Sequence, residues 1–228
     1  MTGSPYRLKA DPYSSHSVIL RRFPAGAGNK VLDVGAAEGY LAEILTQRGF
    51  EVTCLERDPG LAAAAAEKCS RVVVADLGRE LPPLEGPFDV IVYGDILEHL
   101  SDPARVLSSL NQYLMEDGIA IVSVPNVAHL WVRLQLLLGR FDYAERGILD
   151  RTHLRFFTRK SFLRLLAESK LTLIELIPTP VPLPLLIPER LHGRWLSILH
   201  ALNAVTARWF PGLFAYQFVA VARRGAAP

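Results

Sequence analysis

The chain has 228 residues, of which 50% are hydrophobic and 21% are charged, and its formal net charge is only +2. This length suits one substantial α/β domain and leaves little room for a second. The balanced composition predicts a globular protein, and the mild charge gives no reason to expect nucleic acid as a partner.

The cysteines and the polar amino terminus predict a cytoplasmic protein. Only Cys54 and Cys69 occur in the sequence, which is too few for a disulfide framework. Residues 1–16 lack the apolar core of a signal peptide, and no apolar run reaches the roughly 18–20 residues that span a bilayer. We therefore expect a protein of the reducing cytoplasm.

The chain is predicted to begin with an arm, residues 1–28, followed by one domain at 29–228. The arm carries a helical pattern at 15–22. The domain opens with the stretch 31–40, which reads VLDVGAAEGY.

The stretch VLDVGAAEGY predicts a strand, a glycine turn and the start of a helix. Apolar residues surround Asp33, Gly35 and Gly39 bracket the turn, and residues 41–48 repeat apolar side chains at helical spacing. Such a unit opens a doubly wound sheet, whose ligands bind beyond the carboxyl ends of the strands. A carboxylate at this strand end suits a cationic amino group, whereas a pyrophosphate would require bare amides.

The next two predicted strands also end in acidic residues. The strand at 51–55 leads to Glu56, which is placed to accept hydrogen bonds from ribose hydroxyls. The strand at 72–75 leads to Asp76 and Leu77, where a carboxylate suits an adenine amino group. Three consecutive strands that each end in an acid describe an adenosine with a positively charged amino-acid tail, and that ligand is S-adenosylmethionine.

These elements, in this order and at this spacing, resemble the class I S-adenosylmethionine-dependent methyltransferases. The resemblance covers roughly residues 29–177 and a final strand. It implies an α/β, Rossmann-like, doubly wound sheet of seven mostly parallel strands, with helices on both faces and an antiparallel last strand. It also implies a cofactor site formed by Asp33, Gly35, Ala37, Gly39, Glu56, Arg57, Asp76, Leu77, Gly94 and Asp95.

Two expectations depend on this resemblance. The family usually has glycine where Ala37 stands, and we expect the turn to form with Ala37 at negative φ, since alanine adds only a methyl group. The leader of these proteins often folds over the cofactor, which makes Tyr6, Tyr13 and His16 candidate contacts. A solvated arm is the alternative for each of these three side chains.

The remaining pattern completes the sheet and leaves two insertions. Strands are predicted at 88–93, 119–124, 171–177 and 214–222, and helices at 61–69, 103–114 and 160–169. The first insertion, residues 126–159, starts with a strongly apolar helical pattern and is expected to form a lid over the acceptor pocket. The second insertion occupies residues 178–214.

In the second insertion, alternating prolines predict an extended segment away from the centre of the sheet. A basic amphipathic helix follows, and its apolar face comprises Leu191, Trp195, Ile198, Leu199, Leu202, Val205 and Trp209. Two interpretations of the insertions stay open. They form a lid and a core-covering or homodimer-forming helix, or they form a surface that contacts membrane lipid or a lipid-linked substrate.

The segment after the fourth strand predicts a divalent-metal half-site. Asp95, Glu98 and His99 have i, i+3, i+4 spacing, which predicts one face of a helical turn. Together with His153 from the expected lid, they could hold Mg²⁺ or Mn²⁺. The pattern resembles metal-assisted O-methyltransferases of the ubiquinone-pathway and small-RNA types. Those families often have glutamate at the position of Asp95.

An arrangement without a metal is the alternative, because Glu-His-Leu also follows this strand in methyltransferases that use none. His153 or His99 would then act as the general base, since histidine titrates near neutral pH. Tyr143 would stack on the acceptor or hydrogen-bond to it.

The predicted function is S-adenosylmethionine-dependent O-methylation of a small-molecule acceptor. N-methylation is the main enzymatic alternative, and a non-catalytic subunit that binds the cofactor and recruits a partner or a membrane is the alternative of another class. A nicotinamide oxidoreductase is disfavoured because Gly-x-Gly-x-x-Gly is absent. The remaining histidines are predicted to be structural, with His129 buried beside a partner and His192 and His200 on solvated helix faces.

Overall fold

The centre of the fold is one seven-stranded sheet, seen in a computed structural model that describes residues 11–24 and 29–225. In chain order the strands are β1 (Lys30–Val34), β2 (Glu51–Glu56), β3 (Arg71–Val74), β4 (Phe88–Tyr93), β5 (Leu114–Pro125), β6 (Leu171–Thr179) and β7 (Gln217–Arg224). Their spatial order is β3-β2-β1-β4-β5-β7-β6. Neighbours from β3 to β5 are parallel, and β7 is antiparallel to β5 and β6. The predicted fold class is confirmed.

Helices cover both faces of this sheet. They are α1 (Ser15–Leu20), α2 (Tyr40–Gln47), α3 (Pro59–Ala66), α4 (Pro103–Leu110), α5 (Leu130–Leu137), α6 (Arg159–Glu168), α7 (Leu183–Leu186), α8 (Arg194–Trp209) and α9 (Pro211–Phe214). A 3-10 turn, Leu97–His99, follows β4. Helices α1 and α2 pack in one apolar layer, and α4 and α6 pack in the other.

The two core layers follow from the alternation of side chains along the strands. In β4, Ile91 and Tyr93 point into one layer, while Val90 and Val92 point into the other, and all four are fully buried. Both faces of a largely parallel sheet are covered by helices, which explains why its strands read as continuous apolar runs. The strand ends between these layers are the places where polar side chains can reach a ligand.

Several predicted boundaries shift for local reasons. The helix predicted at 103–114 ends at Leu110, and Leu114 already pairs with Phe88 as the first residue of β5. The last strand starts at Gln217 rather than at residue 214, because Pro211 begins the short helix α9. Proline favours the first turn of a helix, where its missing amide has no partner to lose.

The second insertion is only partly extended. Pro178 lies in β6, which is an edge strand and therefore tolerates a missing amide donor. The predicted extended conformation is wrong at Pro184, which lies in the helix α7, while Pro180 and Pro182 precede that helix.

Helix α8 exposes the apolar face that the sequence pattern predicts. All seven predicted apolar residues are exposed, with exposed fractions from 44% at Leu199 to 74% at Trp209, and six of them lie in α8 while Leu191 precedes it. The prediction for His200 is wrong, since that side chain is buried and its Nε2 lies 3.0 Å from Oδ1 of Asp11. Among the helices of residues 11–24 and 29–225, none combines the length and hydropathy needed to cross a bilayer.

Candidate active site

The turn after β1 is built on residues in the left-handed region of backbone space. Gly35 has φ +76° and its amide donates to the carbonyl of Leu55 at 2.8 Å. Gly39 has φ +73°, and a Cβ there would lie 3.0 Å from Cα of Ala65 in α3. Both positions therefore require glycine, as the sequence predicts.

Ala37 lies in the same turn and adopts φ +49°. The expectation of a negative φ is therefore wrong. The turn closes through a hydrogen bond from the Gly39 amide to the Ala36 carbonyl at 2.9 Å, and the Ala37 amide donates to Oε2 of Glu56 at 2.9 Å. These bonds hold alanine in a conformation that costs an L-residue about 1–2 kcal/mol, which explains the family's preference for glycine here.

Asp33 is a buried carboxylate, one oxygen of which lacks a hydrogen-bond partner among the described residues. Its side chain is 4% exposed, and Oδ2 makes no hydrogen bond there. Burial raises the pKa of Asp33 to about 7, and the neighbouring charge of Glu56 adds to the effect. A buried acid in this state is stabilised by a cation, so Asp33 fits the amino group of S-adenosylmethionine.

Glu56, at the end of β2, is held in one orientation by backbone amides. Its Oε1 accepts from the amides of Arg57 and Asp58 at 2.8 and 3.0 Å, and its Oε2 accepts from Ala37. A carboxylate can accept about four hydrogen bonds, so an acceptor position remains for a ribose hydroxyl. Arg57 thus supports the site through its amide, while its side chain is exposed.

The end of β3 supplies a polar and an apolar residue side by side. Asp76 accepts from the Gly78 amide at 2.9 Å, which fixes its carboxylate in the loop. Leu77 is 5% exposed, and its carbonyl accepts from Arg105 of α4 at 2.7 Å. A fixed acid beside a buried leucine suits the edge and the face of an adenine ring.

After β4, Gly94 leads into Asp95, which adopts φ +53°. Both oxygens of the Asp95 carboxylate are occupied, since Oδ1 accepts from Ser123 and Oδ2 accepts from Ser15 at 3.1 Å. The Asp95 amide in turn donates to Ser123 Oγ at 2.9 Å. Asp95 therefore joins the N-terminal helix α1 to the end of β5. The sequence analysis missed both serines, and only the helix predicted at 15–22 hinted at α1.

Glu98, His99 and His153 converge into one cluster. One ligand atom of each lies within 4.8 Å of the other two. Asp95 is not part of this group, and the predicted shared helical face does not form, because only Leu97–His99 is helical. The Leu154 and Arg155 amides donate to the Glu98 carbonyl at 2.8 and 3.0 Å, which fastens the His153 segment to the turn.

The hydrogen bonds of the two histidines determine their tautomers. Nδ1 of His153 lies 3.1 Å from the carbonyl of Ile148, and Nδ1 of His99 lies 3.3 Å from the carbonyl of Thr152. A carbonyl only accepts, so the neutral His153 ring carries its proton on Nδ1 and presents a lone pair on Nε2. Nδ1 of His99 also lies 3.2 Å from the Thr152 hydroxyl, which already donates to Asp150 at 2.6 Å, so the same tautomer suits the neutral His99 ring. Histidines that bind metals or accept protons are commonly oriented this way.

The electrostatics of the cluster favour a cationic ligand. Glu98 is 2% exposed, and its Oε2 has no hydrogen-bond partner among the described residues. Burial, and then the charge of Asp95, raises the pKa of Glu98 well above its usual range. Burial and the neighbouring His99 lower the pKa of His153, so that ring is neutral at pH 7. Glu98, His99 and His153 therefore fit a divalent ion through one carboxylate and two imidazoles.

Three aromatic rings flank the cluster on one side. The Phe156 ring centroid is 6.2 Å from that of His153, and the Phe141 ring is 5.6 Å from that of Phe156. Tyr143 is 56% exposed and packs edge-on against Phe141 at 5.7 Å. Tyr143 is therefore linked to His153 only through Phe156, and neither Phe156 nor Phe141 was predicted from the sequence.

Tyr216, in the turn before β7, is another aromatic residue that was not predicted from the sequence. Burial raises the pKa of Tyr216, and the charges of Asp95 and Asp150 add to the effect. Its ring also lies 6.5 Å from that of His129. No local sequence signal marks Tyr216, because it comes close to Asp95 and Asp150 only when β7 pairs antiparallel to β5.

The remaining residues predicted as arm contacts, and the remaining histidine His129, lie in different parts of the structure. Tyr6 lies outside the described residues, His16 lies on α1, and Tyr13 packs edge-on against His200 at 5.0 Å. His129 is half-buried and caps α5 by accepting from the Trp131 amide at 3.2 Å.

A family comparison agrees with this geometry. Residues 9–176 match the family model described as "Methyltransferase domain". Among curated relatives, the chain is 36% identical over 123 residues to an uncharacterized methyltransferase of Mycobacterium sp. (strain KMS), an alignment that covers 53% of this chain and 44% of the relative. It is 33% identical over 109 residues to the ubiquinone biosynthesis O-methyltransferase of Pseudomonas aeruginosa (strain LESB58), with 44% and 46% covered. The chain thus spans about half the length of these curated relatives.

A solved structure shows the same fold over nearly the whole chain. It is a SAM-dependent methyltransferase, possible histamine N-methyltransferase, from Thermotoga maritima. The TM-score is 0.63 at 16% identity, with 93% of this chain and 89% of the other covered. The matched domain, the sheet order and the acidic residues at the strand ends all point to one family. The chain therefore belongs to the class I S-adenosylmethionine-dependent methyltransferases.

Proposed function

We propose that this protein transfers a methyl group from S-adenosylmethionine to a hydroxyl oxygen of a small aromatic acceptor. The observation that carries the proposal is the convergence of Glu98, His99 and His153 beyond the carboxyl end of β4. Methyl transfer to a hydroxyl requires removal of a proton, by a base or by a metal that lowers the pKa of the hydroxyl. The cluster can serve either purpose.

S-adenosylmethionine, when bound, supplies the electrophilic methyl group. Asp33 binds the amino group of this ligand and Glu56 binds its ribose, so both fix the ligand relative to β1 and β2. Ser15 and Ser123 hold Asp95 in place at the end of β4. The protein's main contribution is alignment of the two reactants, which lowers the entropic part of the barrier.

In the metal-dependent form of the reaction, Glu98, His99 and His153 hold a divalent ion. Ligands about 2.1 Å from one ion lie at most about 4.2 Å apart, so binding an ion would require the cluster to contract by at least about 0.6 Å from its 4.8 Å spread. The ion would act as a Lewis acid on the hydroxyl. Two imidazoles favour Mn²⁺ over Mg²⁺, which prefers a shell of oxygen atoms.

In the metal-free form, His153 is the general base. Its lowered pKa keeps the ring neutral, and its Nδ1 donates to the Ile148 carbonyl, which leaves Nε2 as the acceptor. His99 lies beside it, with ring centroids 4.9 Å apart. The two forms use the same nitrogen atom of His153, so chelation distinguishes them.

The aromatic rings support a planar acceptor. Phe156 lies beside His153, and Phe141 and Tyr143 pack on Phe156, so that the three rings offer faces and edges to a planar group. Segment 126–159, which contains Phe141, Tyr143 and Phe156, serves in this proposal as the acceptor lid. The match to a ubiquinone biosynthesis O-methyltransferase also favours a phenolic or catecholic acceptor.

The test is release of S-adenosylhomocysteine from a panel of phenols, catechols and amines, with and without EDTA. We expect turnover with a phenol or catechol. Loss of that turnover in EDTA and its return with Mn²⁺ would support the metal. Turnover only with amines would contradict O-methylation and support N-methylation. Tight cofactor binding with no turnover on any acceptor would support a non-catalytic subunit.

Two histidine variants distinguish the role of His153 in the cluster from a general effect of removing an imidazole. His153→Ala should lower turnover by about 10²- to 10⁴-fold, the usual range for loss of an acid–base group, and should leave the affinity for S-adenosylmethionine unchanged. His192→Ala removes an exposed histidine outside the cluster and should retain full turnover. Equal turnover of the two variants would contradict the role of His153.

A further inference from the structure

Helix α8 presents an apolar face that nothing in the described chain covers. Its exposed large side chains are Trp195, Ile198, Leu199, Leu202, Val205 and Trp209. Their spacing places them on one side of the helix. The exposed surface continues through Leu186 and Leu191 before the helix and Phe210 after it. We call the six α8 side chains and these three the α8 face. Soluble monomers rarely expose a contiguous apolar surface of this extent.

The opposite side of α8 fixes the outward direction of this face. The buried side chains of the helix are Leu196, His200 and Ala207. His200 Nε2 lies 3.0 Å from Oδ1 of Asp11, and Asn203 donates to the carbonyl of Val181 at 2.9 Å. Because polar contacts anchor the inner side, the apolar side cannot turn inward without breaking them.

The charge around the α8 face is positive. Residues 183–215 contain Arg190, Arg194 and Arg208 and a single acidic residue, Glu189. The helix itself has no acidic residue. A second copy placed symmetrically on this face would bring arginines near arginines, whereas an anionic surface complements them. Tryptophans at both ends of an amphipathic helix are typical of helices that lie in the membrane interface.

A basic cavity lies at the carboxyl end of α8. Its volume is about 620 Å³, and it is lined by Ala128, Arg133, Thr158, Arg159, Lys160, Leu163 and Gly212. Three of these residues are cationic and none is acidic. Arg133 Nη2 lies 3.5 Å from the carbonyl of Gly212, which is three residues after Trp209. The cavity therefore lies close in the chain to the end of the α8 face, and its three cations suit phosphate groups.

Helix α5 adds exposed apolar side chains next to this cavity. Trp131 and Leu134, which flank Arg133 in the sequence, are 62% and 45% exposed. Cations beside exposed tryptophan and leucine are suited to the boundary between lipid headgroups and acyl chains.

We propose that the α8 face docks this protein onto an anionic phospholipid bilayer, with the cavity of Arg133, Arg159 and Lys160 at the level of the headgroup phosphates. The apolar side chains enter the outer acyl region and the cations bind the phosphates. This proposal concerns where the protein resides and does not depend on the acceptor.

The test is co-sedimentation of the full chain with vesicles of phosphatidylcholine alone and of phosphatidylcholine mixed with phosphatidylglycerol. We expect binding to the anionic vesicles, weaker binding to the neutral ones, and loss of binding at high salt. Trp195→Glu/Trp209→Glu should lower the partition coefficient at least tenfold. Arg133→Gln/Arg159→Gln/Lys160→Gln should also lower it by about tenfold or more, since each cation near an anionic surface contributes roughly a fivefold effect.

The control for Trp195→Glu/Trp209→Glu adds two glutamates outside the α8 face. Val74→Glu/Met115→Glu replaces exposed apolar residues of β3 and β5 and should bind vesicles as the unmodified chain does. Circular dichroism establishes that every variant is folded. Absence of binding to anionic vesicles would overturn the proposal, as would equal binding by the α8 variant and the unmodified chain. Light scattering that shows a dimer dissociated by the α8 variant, without vesicle binding, would instead identify a second copy as the occupant.

Discussion

At the residue scale, the site depends on buried acids whose partners are absent from the described chain. Asp33 and Glu98 each have one carboxylate oxygen without a hydrogen bond there, and burial raises the pKa of both. An unpaired buried carboxyl group destabilises the ligand-free protein. A cationic ligand would offset this cost, which is the role proposed for both residues.

Asp33→Asn tests this cost directly. The folded-state pKa of Asp33 is raised to about 7 from 3.8, so its contribution to stability is fully present below pH 3.8 and is lost as the pH rises through 7. Asparagine removes this loss and should stabilise the ligand-free protein at pH 8 by roughly 2–4 kcal/mol. Urea unfolding at pH 5 and pH 8 measures the effect.

The effect of Asp33 is the difference in unfolding free energy between Asp33→Asn and the unmodified chain. Glu98 has a raised pKa in both proteins and contributes a pH dependence of the same sign to each, so its contribution cancels in this difference. Glu116→Gln, at an exposed position of β5, serves as the control and should follow the unmodified chain. Parallel stability curves for Asp33→Asn and the unmodified chain would show that Asp33 is already paired.

At the scale of single elements, the sequence predicts the glycine turn but not the strain in it. The spacing of Asp33, Gly35 and Gly39 is local, so it identifies the strand, turn and helix correctly. The sign of φ at Ala37 depends on where the Glu56 carboxylate lies, nineteen positions further along the chain. Likewise, the i, i+3, i+4 spacing of Asp95 and its neighbours predicts a helical face, whereas Ser15 and Ser123 hold Asp95 in another direction.

Ala37→Gly should stabilise the protein. Relief of the left-handed strain is worth about 1–2 kcal/mol, and the greater backbone freedom of glycine in the unfolded chain offsets about 0.5–1 kcal/mol of it. We expect a net gain of about 0.5–1 kcal/mol, measured by urea unfolding.

Gly39→Ala is the opposite change in the same turn. The substitution adds a Cβ at φ +73° and 3.0 Å from Cα of Ala65. It should therefore lower the free energy of unfolding by at least about 1–2 kcal/mol. Equal losses for Ala37→Gly and Gly39→Ala would show that Ala37 is unstrained.

At the scale of the whole molecule, two long-range contacts tie the N-terminal segment to the last third of the chain. Asp11 binds His200 across 189 positions, and Arg22 forms an ion pair with Glu175 across 153 positions. Helical periodicity predicts α8 correctly, but it cannot predict a partner so distant in sequence, which is why His200 was expected in solvent. The sheet was predictable because each of its strands is marked locally by an apolar run and a turn.

The central claim is that the carboxyl ends of β1 and β2 bind S-adenosylmethionine, and calorimetric titration of the full chain tests it most directly. A charge-assisted hydrogen bond contributes about 1.5–3 kcal/mol, so Asp33→Ala and Glu56→Ala should each weaken binding at least tenfold, while Glu116→Ala should leave it unchanged. Affinity of the unmodified chain should also fall as the pH drops below 7, because Asp33 then gains a proton. Unchanged affinity in both the Asp33→Ala and Glu56→Ala variants would contradict the assignment of this site.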